Sequence, residues 1–156
     1  MKKRKVLDRL NSDLIFIFYF QGKLVLLVFY PQDMVEESEA TMNLLTDMAL
    51  APELDLALVA VSTDSLNTHR AWAEKREGGV PPVYLVSDKN GDISRTYGVL
   101  DVENHQPFHA VFIIDTEGVM QGARVSAVGG LHPSTASDML DWIRTAVQIK
   151  TCSETI

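Results

Sequence analysis

The run KLVLLVF at residues 23–29 does most to limit what this chain can become. It is unbroken after its lysine, rich in branched side chains, and closed by Tyr30-Pro31. A half-exposed strand would alternate apolar with polar, so this pattern reads as a strand covered on both faces. A second run of the same kind, LALVAV, occupies residues 56–61. Between them, Ala40, Leu44, Leu45 and Met48 recur at helical spacing over residues 36–50. Acidic residues open that stretch, where the positive end of a helix dipole favours them. Two buried strands joined through a helix predict a parallel pair with a crossover connection.

The remaining pattern extends this unit. Asp64 or Ser65 can cap a helix running to Arg76, with Gly78-Gly79 ending it. A short strand at 83–86 precedes the turn Asp88-Lys89-Asn90-Gly91, and a short helix at 93–97 stops at Gly98. Residues 110–114 and 119–127 form a predicted hairpin about Asp115-Thr116-Glu117-Gly118. The last predicted helix opens at Pro133-Ser134 and carries Met139, Leu140, Trp142, Ile143, Ala146 and Val147. The order implies an α/β domain with a central mixed sheet between helical layers. Its expected extent is residues 22–150, with 1–21 as an atypical leading segment and 151–156 as a tail.

With 156 residues, 46% of them hydrophobic and 22% charged, the chain suits one globular domain. A net charge of −7 argues against nucleic acid, whose phosphates need clustered Lys and Arg. The one cysteine, Cys152, cannot form an intrachain disulfide. The apolar stretch from Leu14 to Tyr30 is broken by Gln21-Gly22-Lys23, leaving pieces shorter than the ~20 residues a membrane span requires. Asp8, Arg9 and Asp13 interrupt any leader peptide, so no membrane association is expected and the cytoplasm is the default compartment. Residues 14–21, LIFIFYFQ, are what a pyrimidine-rich tract ending in CAG would encode in frame. Residues 1–21 are therefore expected to be a gene-model artefact; if genuine, their apolar part could extend a sheet edge. The four histidines show no metal-ligand spacing, and no cofactor or metal is expected.

Chemistry in such a layout belongs at the turn after the first central strand, where free helix N–H groups can stabilise an anion. That turn, Tyr30 to Ser38, holds no cysteine and no C-x-x-C. The segments GKLVLLVFYPQD, STDSLNTHRAW, EGG, TYGVL and FIIDTEGV occur in the order and spacing of two-cysteine peroxiredoxins. Over residues 22–147 the chain resembles that AhpC/TSA family. The resemblance implies a thioredoxin-like fold, dimers or rings of dimers, and thioredoxin-dependent reduction of hydroperoxides.

The family's active-site pattern is P-x-x-x-T-x-x-C with an arginine from a later strand or loop. Pro31 fits its first position, while Val35 falls on the threonine, Ser38 on the peroxidatic cysteine and His132 on the arginine. A serine hydroxyl does not ionise near neutral pH and has no sulfenic-acid counterpart. Valine donates no hydrogen bond, and an unperturbed histidine is mostly neutral at pH 7. Glu36, Glu37 and Glu39 would raise the pKa of any thiol placed at 38. Ser38 is expected instead to cap the helix. A serine nucleophile would need His132 or His109 as a base, and no G-x-S-x-G elbow occurs. Cys152 lacks the family's valine-cysteine-proline context and is expected to be an ordinary tail thiol. The expectation is a degenerate peroxiredoxin acting through a homodimer or a hetero-oligomer with an active relative, with thioredoxin a partner by resemblance only. The alternatives are a residual peroxidase using Cys152, and a pseudogene or misassembled product without independent function.

Overall fold

The structure, a computed structural model, describes residues 6–8, 20, 22–50, 54–76, 82–126 and 135–154. Eight strands and four helices alternate among them. In chain order the strands are β1 (Val6–Asp8), β2 (Leu24–Phe29), β3 (Leu56–Ser62), β4 (Tyr84–Ser87), β5 (Leu100–Asp101), β6 (Gln106–Pro107), β7 (His109–Ile114) and β8 (Met120–Ser126). The helices are α1 (Glu36–Ala49), α2 (Leu66–Lys75), α3 (Asp92–Thr96) and α4 (Ala136–Glu154).

Six strands form one sheet in the order β1-β4-β3-β2-β7-β8. The first four run parallel to one another, β7 pairs antiparallel with β2, and β8 pairs antiparallel with β7. All six residues of β2 are buried, as an uninterrupted apolar run in a two-sided strand should be. Leu24, Leu26 and Val28 join the core beneath α1, α2 and α4, with Met42, Leu45, Trp72, Met139 and Ile143. Val25, Leu27 and Phe29 face the opposite core with Phe112, Val99 and the flanking Ile93 and Tyr97. The sheet is thus the middle of three layers.

The described elements follow the predicted ones closely, with a leading strand, a longer last helix and the short strands β5 and β6 in addition. Val6–Asp8 lies in register with Leu85–Ser87 as a parallel edge strand, whereas the apolar run expected to extend a sheet edge lies, apart from Phe20, outside the described residues. The last helix continues through Cys152 to Glu154, into the expected tail. Its expected opening at Pro133-Ser134 lies outside the described residues, as does Gly78-Gly79. Trp72 is core. Trp142 is only partly buried, and the Arg124 guanidinium stacks 4.0 Å above its ring. Gly122 permits that approach, since a Cβ there would meet Trp142 at 3.1 Å. Among the described residues, no helix is long and apolar enough to cross a membrane.

Candidate active site

The loop from Pro31 to Val35 joins the end of β2 to α1, and its shape is set from below by a buried polar network. The Tyr30 hydroxyl donates to Asp33 Oδ1 at 2.7 Å. Asp33 Oδ2 lies 2.6 Å from Nδ1 of His69, which α2 delivers from beside α1 on the same face of the sheet. The other ring nitrogen of His69 lies 3.1 Å from the Val86 carbonyl. A carbonyl only accepts, so Nε2 carries a hydrogen. The Asp33 amide donates to Asp64 Oδ2 at 2.7 Å, and Ser62 Oγ donates to the same oxygen at 2.9 Å. Burial, reinforced by the Asp33 charge, pushes the Tyr30 hydroxyl well above its ordinary pKa.

These contacts explain how α1 begins. Asp33, two residues before the N-cap, has its carboxylate occupied by Tyr30 and His69. The N-cap is Val35, which offers no side-chain hydrogen bond. The expectation that Ser38 caps the helix is therefore corrected. Ser38 is the third helical residue, fully buried, and its hydroxyl donates back to the Gln32 carbonyl at 2.5 Å. It ties the loop to the first turn and is bonded to no histidine among the described residues.

The acidic start is less uniform than its sequence suggests. Glu39 accepts from Trp72 Nε1 and, at 3.0 Å, from Arg76 Nε, while Arg76 also donates to Asn43. That carboxylate is neutralised and clamps α1 to α2. Glu36 and Glu37 remain on the exposed side.

The structure brings His109 to this region from the first position of β7, one residue before the Ala110–Phe29 pair. It is 7% exposed and its Nδ1 has no partner among the described residues. Burial holds its pKa below the usual histidine range, opposed by the nearby Glu37 charge. Of the residues singled out by sequence, Pro31, Val35 and Ser38 sit together at the helix start. His132 lies outside the described residues. Cys152 lies on the backbone of α4, near its end.

Asp33, Asp64 and His69 place ligand-type atoms within 4.8 Å of one another, a cluster the histidine spacing did not reveal. Sequence reasoning missed it because Asp33 and His69 are 36 positions apart. The hydrogen bonds just described already engage Asp33, His69 and Asp64 Oδ2, so the cluster is a structural support.

A parallel β-α-β unit with an antiparallel hairpin beside it, and a helix starting at the candidate site, defines a thioredoxin-like α/β domain. Residues 12–123 match the AhpC/TSA family. The chain belongs to that family, the peroxiredoxins. It is 32% identical over 112 residues to the thioredoxin peroxidase of Fasciola hepatica, covering 69% of this chain and 58% of that protein. It thus spans less than two thirds of that relative's length. A putative peroxiredoxin of Bacillus subtilis is 31% identical over 134 residues, 83% of this chain and 72% of its own. Among solved structures, Enterococcus faecalis AhpC superposes with a TM-score of 0.74 at 25% identity, covering 85% of this chain and 79% of that one. The reduced two-cysteine peroxiredoxin of Plasmodium vivax gives 0.69 at 28% identity, covering 88% and 84%.

Proposed function

We propose that this chain is a degenerate peroxiredoxin: it holds the family scaffold, does not turn over hydroperoxides, and acts by binding. One observation carries the reading. At the start of α1, where the family resemblance places the peroxidatic thiol, stands a buried serine whose hydroxyl is committed to the Gln32 carbonyl. Peroxide reduction needs a thiolate to attack one oxygen of the O–O bond and become a sulfenic acid, and a hydroxyl supplies neither charge nor oxidation state. Val35 at the threonine position adds no donor, and neutral His109 nearby would not replace a permanent cation.

The supported role is association with a second copy or with an active peroxiredoxin, in the cytoplasm. β8 is the outer strand of the sheet, has no proline, and exposes Met120 and Val125 beside the half-exposed Val119. Outer strands of this kind are natural pairing edges. Thioredoxin as a partner rests on the family alone.

Purified protein given hydroperoxide, thioredoxin, thioredoxin reductase and NADPH should consume no more NADPH than a blank. Catalytic consumption that survives Cys152→Ser would overturn the reading, and consumption abolished by Cys152→Ser would establish the tail thiol as a residual peroxidase. Ser38→Cys should give a thiol titrating above the ordinary cysteine value of ~8.5, because burial and the Glu36 and Glu37 carboxylates disfavour its thiolate. The pH dependence of its alkylation measures this.

A further inference from the structure

The loop that lacks a thiol still carries a sulfur. Met34 sits between the anchored Asp33 and the N-cap Val35, with φ at +66°, and is 54% exposed. Its exposure has a local cause. A residue just before an N-cap commonly packs on an apolar side chain at the fourth helical position. Here that position is Glu39, which is turned toward Trp72 and Arg76. Met34 therefore has no staple partner, and the left-handed backbone is held on one side by the Asp33 network and on the other by the Ser38–Gln32 bond. The methionines Met42, Met48 and Met139 are buried in the core. Met120, on the outer strand β8, is the other half-exposed one among the described residues.

We propose that Met34 is a hydroperoxide-modified residue: its thioether sulfur takes one oxygen atom to become the sulfoxide, without cost to the fold. The sulfur lone pair attacks the outer oxygen of ROOH, the O–O bond breaks, and the departing alkoxide takes a proton to leave as ROH. The sulfur is oxidised by two electrons and the peroxide is reduced by two. The step is stoichiometric, one peroxide per Met34, and is reversed by methionine sulfoxide reductase chemistry. Methionine oxidation usually damages a fold because a polar oxygen enters a packed core. At Met34 the oxygen enters water instead, beside the first turn of α1. A helix's first turn leaves amide N–H groups without intrahelical partners, and Val35 supplies no side-chain acceptor for them. This goes beyond the loss of turnover proposed above and does not depend on it.

The test is graded hydrogen peroxide on the purified chain, followed by peptide mapping. Met34 should gain one oxygen at least about tenfold faster than Met42, Met48 and Met139, within about tenfold of a free peptide of residues 31–38. Met34 lagging with the core methionines would overturn the proposal. The unfolding midpoint of treated protein should not fall below that of a Met34→Leu protein treated alongside; a lower midpoint would also overturn it. Peroxide consumed catalytically, far beyond one equivalent per reachable sulfur, would instead overturn the proposed function and leave the peptide map standing.

Discussion

The inner side of the 31–35 loop and its outer mouth differ in how fully their polar atoms are matched. Inside, Tyr30, Asp33, His69, Asp64, Ser62 and the Val86 carbonyl meet through contacts of 2.6 to 3.1 Å. At the mouth, the His109 Nδ1 has no partner among the described residues, Val35 caps without a side-chain bond, and Met34 faces solvent. The difference teaches that holding a site in shape and doing its chemistry are separate demands on a sequence. A loop can remain pinned by its undercarriage after the reacting atom above it is gone.

Four substitutions sharpen that contrast, and their expected effects descend from the inside outward. Asp33→Ala removes one half of a buried charge-bearing pair and strands His69, so denaturant unfolding should show a loss of about 3–5 kcal/mol. A change below 1 kcal/mol would mean the network is not the loop's support. Tyr30→Phe deletes one donor to the same carboxylate and should cost about 1–3 kcal/mol, read from the same titration. Ser38→Ala loses a hydrogen bond to a carbonyl on an exposed residue, a cost of about 0.5–1.5 kcal/mol. If Ser38→Ala proved as damaging as Asp33→Ala, the two sides of the loop would not differ as described.

The smallest effect concerns acid. Burial lowers the His109 pKa in the folded chain, with Glu37 opposing. The unfolded chain therefore binds a proton more readily, and stability rises with pH across the window between the two values. Its contribution is complete above the ordinary histidine value of about 6.5 and declines as pH falls through it toward the depressed one. Unfolding of His109→Asn followed from pH 7.5 to 5 should show a shallower decline than the parent chain.

Much of the scaffold was legible because burial on both faces leaves an unmistakable mark: β2 and β3 declare themselves as apolar runs, and Ser65 caps α2 as its sequence suggests, accepting from the Thr68 amide. The two-residue strands β5 and β6 were not legible, since two residues carry no periodicity. The leading strand β1 depends on β4, far along the chain, for its pairing. At the site, the residues at 31, 35 and 38 could be placed from a motif, but the start of α1 could not be read in detail. Ser38 reads locally as a cap, but in the structure it is the third helical residue and bonds back to the Gln32 carbonyl, while the loop is held by a histidine brought in from α2. His109 was noticed solely as a possible base; its position beside the end of β2 follows from strand pairing.

The order of the sheet has one more consequence. The β2–α1 junction and the outer strand β8 are separated by the whole width of β7. Substitutions at the first therefore leave the backbone of the second untouched, so under the proposed role the pairing edge survives whatever changes at the helix start. If the proposed association with an active relative holds, inert subunits of this kind would dilute the working ones around them, setting output by stoichiometry of assembly instead of by turnover.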